Sequence, residues 1–326
     1  MITRIKNAVL GGMAALALTL SGCAAATDNG GSTNAGSGEK GAVAMSFAGL
    51  DIQIWVDIID LMRPQIEDAG YAFLTDDPQW NIQNQVNSWE GWIQRGDVRA
   101  IMGYPVQSDS IGPVTDQAVS AGIPVVGYAT EWDGISGALL IDNYADGYEL
   151  GSEAGKWIVD TYGAEQVPVM LYSYYETDLG IDRSEGIKDG LRDSGANVSV
   201  SESSALSIQD SMDAATSQLA AKPDTKVWLG TGSDQIIGAY RTLMDRGVAP
   251  DDNSYLLGAV DATNESLDIL KQENSIWRLG YILPAQDLAD NCVELLLTAA
   301  NGESVESVTL RSVRVTAANA DEFYVR

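Results

Sequence analysis

No histidine occurs anywhere in the 326 residues, and there are only two cysteines, three phenylalanines and nine prolines. Without an imidazole there can be no Ser-His-Asp triad, no Cys-His pair and no His-ligated zinc. Positive charge is scarce too, with 19 Lys plus Arg against 46 Asp plus Glu and a formal charge of −27. No stretch clusters the Lys and Arg that phosphate neutralisation needs, which argues against nucleic acid as a partner. The G-x-x-x-x-G-K-[ST] phosphate loop is absent, and Gly230-Thr231-Gly232 lacks the spacing of a dinucleotide site. An EF-hand calcium loop is missing as well, so neither a metal nor a cofactor is expected. What remains is a chain with 45% apolar residues, the composition of a globular protein and the length for two packed lobes.

The first residues read as a targeting signal. Arg4 and Lys6 precede an apolar run from Ala8 to Leu20, which has the length of a secretory core region and falls short of a spanning helix. Leu20-Ser21-Gly22-Cys23 resembles the lipobox of bacterial lipoproteins, which implies cleavage before Cys23 and acylation of its thiol. Residues 1–23 are therefore assigned to a lipoprotein signal with its lipobox cysteine. Residues 24–41, rich in Gly, Ser, Thr and Asn, are assigned to a flexible tether. With Cys23 committed to lipid, Cys292 has no partner. It falls in the helical pattern Leu288, Cys292, Leu295, Leu296 and is expected to be a buried structural thiol.

From residue 42 onward, short apolar runs alternate with segments of helical period. The runs read as strands at Ala42–Phe47, Tyr71–Leu74, Ala100–Gly103, Pro124–Tyr128, Ala138–Ile141, Pro168–Tyr172, Val198–Val200, Val227–Gly230, Tyr255–Val260 and Trp277–Leu283. Ile54, Ile58, Leu61 and Met62 show the helical spacing, as do Leu150, Ala154, Trp157 and Ile158. Such alternation predicts an α/β fold with parallel sheets covered by helices on both faces. In these sheets ligands bind beyond the carboxyl ends of the strands, so the residues just past each strand are the candidates.

Several of those residues carry a family resemblance. Ser46-Phe47 with Trp55 is one such group; Gly96-Asp97-Val98-Arg99-Ala100-Ile101-Met102 and Ala121-Gly122-Ile123-Pro124-Val125-Val126 are others. Ile141-Asp142-Asn143 with Gly147, Gly151 and Ala154, Asp182-Arg183-Ser184-Glu185-Gly186 and Gly258-Ala259-Val260-Asp261 complete the set. In this order and spacing they resemble the type I periplasmic binding proteins, the ribose- and galactose-binding group that feeds ABC importers. The resemblance implies two doubly wound parallel-sheet lobes joined by three hinge crossings, near Ile141, Leu283 and Leu310. It divides the chain into a first lobe of 42–141 plus 283–311 and a second of 142–282 plus 312–326, with Asp142, Asn143 and Leu283 at the hinge. Together with the lipobox at Cys23 it implies a lipid-anchored, non-enzymatic monomer on the outer face of the cell membrane or in the periplasm. Such a protein closes on a sugar or polyol and meets a permease served by a separate ATPase chain.

A neutral sugar offers hydroxyls around its edge and C–H groups on its faces, so its site needs fork-like polar groups and aromatic planes. Phe47, Trp55, Tyr104, Trp132, Tyr174 and Tyr281 stand at or past predicted strand ends and are the aromatic candidates. Arg183 and Asp261 follow different strands of the second lobe and are the leading polar candidates, the alternative for Arg183 being a surface ion pair with Asp182 or Glu185. Ser46 completes the group at the first strand.

The chain also departs from the resembled pattern. Where many sugar binders carry Asp-Arg, it reads Tyr128-Ala129-Thr130-Glu131-Trp132, so Glu131 is the substitute candidate. Ser233 or Asp234 stands where the family often has Asn-Asp, and Leu206 where an aromatic often lies. These differences predict a ligand read differently from ribose. Two alternatives stay open at this point. One is a nucleoside or signalling-molecule receptor of the same fold, which Tyr174, Tyr175 and Trp55 permit. The other is an exported glycoside hydrolase, for which Asp76, Asp77, Asp142, Glu131 and Asp261 supply carboxylates.

Overall fold

The computed structural model describes residues 38–175 and 177–324. The signal segment, Cys23 and most of the tether lie outside the described residues. In the first lobe β1 (Ala42–Ser46), β2 (Ala72–Thr75), β3 (Val98–Gly103), β4 (Val125–Tyr128) and β5 (Gly137–Ile141) are interleaved with α1 (Gln53–Asp68), α2 (Ile82–Arg95) and α3 (Ser108–Ser120). The second lobe begins with α4 (Asn143–Tyr162), β6 (Val167–Ser173), α5 (Asp178–Asp193), β7 (Val198–Ser204) and α6 (Ile208–Ala221). It continues with β8 (Val227–Gly230), α7 (Ser233–Asp245), β9 (Leu256–Ala259), α8 (Asn264–Leu270) and β10 (Trp277–Ile282). The chain then returns through α9 (Ala285–Ala300) and β11 (Val308–Leu310) before ending near β12 (Val313–Val315).

The two six-stranded sheets run β11-β5-β4-β3-β1-β2 and β12-β10-β9-β8-β6-β7. Every pairing is parallel except β12 on β10, an antiparallel edge that hydrophobic alternation does not reveal. The strands are near-continuous apolar runs because each sheet is covered on both faces. In the first lobe, Met45, Phe73 and Met102 pack with Ile58 and Met62 of α1 and Leu288 and Leu296 of α9, while Trp89, Trp92, Ile111 and Val114 of α2 and α3 cover the other face. In the second, Leu150, Ile158 and Ile187 of α4 and α5 pack against Val169, Leu229 and Leu279, and Ile236, Leu243 and Leu267 of α7 and α8 fill the opposite side. Cys292 is a free thiol inside the first-lobe core, where burial pushes its pKa up.

Helix starts follow local chemistry. The Asn81, Asp142, Thr177, Ser207 and Thr263 side chains each accept a hydrogen bond from a first-turn N–H, capping α2, α4, α5, α6 and α8. Two sequence expectations shift at their edges. Gly38 and Gly41, assigned to the tether, form a bridge, and the Lys40 N–H donates to the Gly70 carbonyl at 3.0 Å. Strand β7 extends to Ser204, well past Val200, because it is a half-exposed edge strand whose later residues are polar.

The crossings between lobes are tied to one another. The Asp142 N–H donates to the Leu310 carbonyl at 3.0 Å, and Arg311 Nη2 reaches Asp142 Oδ2 at 2.8 Å. One turn on, buried Asp146 accepts from the Ser312 N–H at 2.8 Å and the Ser312 hydroxyl at 2.7 Å. Burial raises the Asp146 pKa, while these bonds and Arg183 work the other way.

Helices α4 and α5 are packed more closely than ordinary side chains allow. A Cβ on Gly147 or Gly151 would collide with the Arg183 or Ile187 carbonyl, and one on Gly186 or Gly190 with the Tyr144 or Tyr148 carbonyl. The i, i+4 glycines of each helix therefore let the two backbones touch.

Candidate functional site

At the strand ends of the first lobe the aromatic side chains form a continuous wall. Phe47, just past β1, stacks on Trp55 of α1 with centroids 5.0 Å apart and planes 7° from parallel. Tyr128, the last residue of β4, meets Phe47 edge-on at 5.0 Å. Tyr104 lies 5.2 Å from Trp55 and 6.4 Å from Tyr128, and Trp80 closes the row 5.7 Å from Trp55. Gln85 of α2 holds the base of this wall. Its Nε2 donates to Ser46 Oγ and to the Tyr104 carbonyl, each at 3.0 Å, and its Oε1 accepts from the Val106 N–H at 2.9 Å.

On the second lobe the centre is Arg183, which is only 1% exposed. Its Nε donates to Asn143 Oδ1 at 3.1 Å and its Nη1 to the Thr231 carbonyl at 2.9 Å. Nη1 and Nη2 form a two-pronged bond with the Asp261 carboxylate. This fork geometry is what guanidinium and carboxylate match best. The surface ion pair is overturned, since Asp182 and Glu185 are both exposed on α5 and Arg183 points inward. The Asp261 side chain stays about half open, so one end of the pair faces solvent. Tyr174 lies over Gly232, whose missing side chain makes room for the phenol, and burial pushes that hydroxyl up to about 12, with Asp234 and Asp261 adding to the push. The Tyr128 hydroxyl is held well above its usual range by burial first, then by Cys292 and by Asp261 of the opposite lobe.

Backbone strain gathers at the same strand ends. Among the described residues the non-glycine positions with left-handed φ are Gln79 (55°), Trp80 (57°), Ala129 (55°), Asp261 (55°) and Asn274 (57°). The first four follow β2, β4 and β9. Such conformations persist where surrounding structure holds them, and they concentrate at functional sites.

Several predicted residues sit elsewhere than their sequence positions suggested. Tyr281 is in the second-lobe core, 1% exposed, because Leu279 and Tyr281 share the face of β10 that α4 and α5 cover. Phe47 is fully buried and forms the back layer of the wall, and Trp55 is 8% exposed beneath Trp80 and Tyr104. Ser46 is buried and occupied by Gln85. Trp132 folds onto α3, its Nε1 donating to Thr115 Oγ1 at 2.9 Å. Glu131 is exposed and accepts from the Ser307 hydroxyl at 3.2 Å, beside β11. Ser233 turns inward to the Val260 carbonyl at 3.3 Å, whereas Asp234 is exposed. Asp142 and Asn143 lie in the first crossing, and Leu283 in the first-lobe core beside the second. Leu206 is 61% exposed at the end of β7.

Tyr128, Trp80 and Thr231 were not singled out as ligand candidates. Tyr128 is visible as a strand-end aromatic; the other two act through a loop conformation and a carbonyl, which sequence does not display. The carboxylates offered for hydrolysis are otherwise engaged. Asp142 pairs with Arg311 and Asp261 with Arg183, and Asp76 is buried.

Comparison with known proteins agrees with this architecture. Residues 43–304 match the model of the periplasmic binding protein domain. No curated protein matches the sequence. Among solved structures, an ABC transporter solute-binding protein from Bacillus halodurans with bound myo-inositol superposes with a TM-score of 0.72 at 21% identity, covering 88% of this chain and 98% of that one. A solute-binding protein from Mycobacterium smegmatis with bound glycerol gives 0.71 at 21% identity, with 88% and 97% covered. A third, from Actinobacillus succinogenes with bound D-allose, gives 0.71 at 16% identity over 87% of this chain and all of that one. The wall, the buried arginine fork and the tied crossings thus stand on a fold shared with these proteins, and the chain belongs to the periplasmic binding protein family, as a binding protein and not an enzyme.

Proposed function

We propose that this protein is the extracytoplasmic binding lipoprotein of an ABC importer, taking a monosaccharide or sugar-like polyol between its lobes and delivering it to a membrane permease as a monomer. The observation that carries this reading is the pairing of chemistries across the lobes. An aromatic wall stands at the strand ends of the first lobe, and a buried, half-open Arg183–Asp261 pair stands past the strands of the second. Aromatic faces suit the C–H surface of a sugar ring, and a guanidinium beside a carboxylate suits adjacent hydroxyls. The polyhydroxylated ligands of the three neighbours support the same class.

The lobes of 42–141 plus 283–311 and 142–282 plus 312–326 are the moving bodies, with Asp142, Asn143 and Leu283 at the hinge. Without ligand, Asp261 neutralises Arg183. A ligand hydroxyl inserted against the open side of Asp261 gains a charge-assisted bond and brings Tyr104, backed by Trp55, onto the ring. Contacts made with both lobes favour closure through differential affinity for the closed state. Asp234, exposed at the start of α7, remains a candidate for its edge once the lobes close.

The test is a thermal-shift panel of aldoses, polyols and nucleosides, since a ligand that binds only the folded state raises its midpoint. A monosaccharide or polyol is expected to stabilise the protein, and Asp261→Asn to weaken that ligand at least tenfold, about 1.4 kcal/mol. Stabilisation by nucleosides alone, or an Asp261→Asn variant with unchanged affinity, overturns the assignment.

A further inference from the structure

Trp80 does not belong to any core. It is 47% exposed, the largest side chain so exposed among the described residues, yet it is held with unusual care. Its backbone and that of Gln79 both adopt left-handed φ, at 57° and 55°. The Trp80 N–H donates to the Ala48 carbonyl at 2.8 Å, and the indole Nε1 donates to Asp51 Oδ1 at 2.8 Å. Asp77 Oδ1 secures the same turn by accepting from the Leu50 and Gln79 N–H groups at 3.1 and 3.2 Å. Gly49 lies against the indole edge, where a Cβ would stand 2.9 Å from Nε1. Two strained residues and a loop built around them are a costly way to display an indole to water.

The ring's position gives it a use. It continues the wall outward from Trp55, with centroids 5.7 Å apart and planes tilted by 40°, from the loop after the edge strand β2. Phe47 and Trp55 are almost wholly covered, so Trp80, with Tyr104, is the part of the wall that a ligand can touch. The strands nearest the crossings, β5, β11, β10 and β12, lie at the opposite edge of each sheet, which puts Trp80 at the far mouth. On the reading above, a single ring held between the Arg183–Asp261 pair and Tyr104 leaves this indole uncovered. Asp51 and Asp77, both exposed at its rim, accept hydroxyl hydrogen bonds and disfavour an anionic substituent.

We infer that Trp80 is the platform of an outer subsite for a second, neutral sugar ring, so that the protein prefers a disaccharide over either of its constituent monosaccharides. This rests on the saccharide reading above and extends it by one ring.

The test is calorimetric titration of wild type, Trp80→Ala and Trp80→Phe with glucose, galactose, ribose and myo-inositol, and with maltose, cellobiose, melibiose and lactose. In the wild type at least one disaccharide is expected to bind ten times or more tightly than its constituent monosaccharides. Trp80→Ala is expected to lose that advantage, weakening the disaccharide at least five times more than its constituent monosaccharides, and Trp80→Phe, which keeps an aromatic face, to retain most of it. A disaccharide no better than its monosaccharides overturns the outer subsite while the saccharide reading stands. Equal weakening of both ligand sizes in Trp80→Ala, with Trp80→Phe no better, assigns Trp80 to support of the loop and overturns it too. Binding of no saccharide by the wild type overturns both readings together.

Discussion

Asp76 follows β2 and is 8% exposed, with neither carboxylate oxygen completing a hydrogen bond. Burial pushes its pKa up to about 7, against the pull of the nearby Ser88 and Ser46 hydroxyls. The folded value lies above the unfolded one, so the folded state holds the proton more tightly. Stability therefore falls as pH rises from about 4 through about 7 and stays low above that. Because the chain has no histidine, few other side chains change charge near neutrality. Asp76→Asn, which imitates the protonated acid, is expected to match the wild type near pH 4 and to exceed it at pH 7.5 by about 4 kcal/mol. Thermal midpoints across that range check it, and parallel profiles for the two proteins would refute it. Arg183 shows how far a single residue was legible. Its place in Asp182-Arg183-Ser184-Glu185-Gly186 marked it as a candidate, but its burial and its partner 78 residues away emerge only from the fold.

Among the elements, α4 and α5 carry the clearest constraint. Gly151 meets the Ile187 carbonyl so closely that a methyl group must push the helices apart. Gly151→Ala is expected to destabilise the second lobe by about 2–4 kcal/mol, despite alanine's better helix propensity, because overpacking outweighs a gain of about 1 kcal/mol. Chemical unfolding measures it, and an unchanged or raised midpoint would contradict the packing. Gly163 has open space around it, and alanine there tests only the cost of left-handed φ. The ten strands visible in the sequence were those with apolar runs. Strands β11 and β12 escaped because each has three residues, lies at an edge and buries little, with only Val315 fully covered. Tyr281 was misplaced for a related reason. Strand alternation decides which face a residue takes, and the sequence of β10, apolar on both faces, does not reveal it.

At the scale of the molecule, two sheets and three crossings were predicted from alternation and resemblance, whereas the bonds that tie the crossings join residues 166 and more positions apart. Among the described residues no helix is long and apolar enough to cross a membrane. In the proposed function, membrane attachment is through a lipid on Cys23. Cys23→Ser is expected to move the protein from the membrane fraction to the soluble fraction without changing ligand affinity; a variant that still pellets with membranes would show that the leader persists as an anchor. The charge of −27 sets a long-range field that repels anionic solutes, weakens with salt and agrees with a neutral ligand. The glycine contact between α4 and α5 has a mechanical meaning at this scale. One helix starts at the fulcrum, beside Asp142, and the other carries Arg183, whose Nε is itself fastened to Asn143. With backbone against backbone there is no soft layer of side chains to absorb a twist, so in the proposed closure the pair would act as one lever, and a rotation at the crossings would arrive at the guanidinium without play.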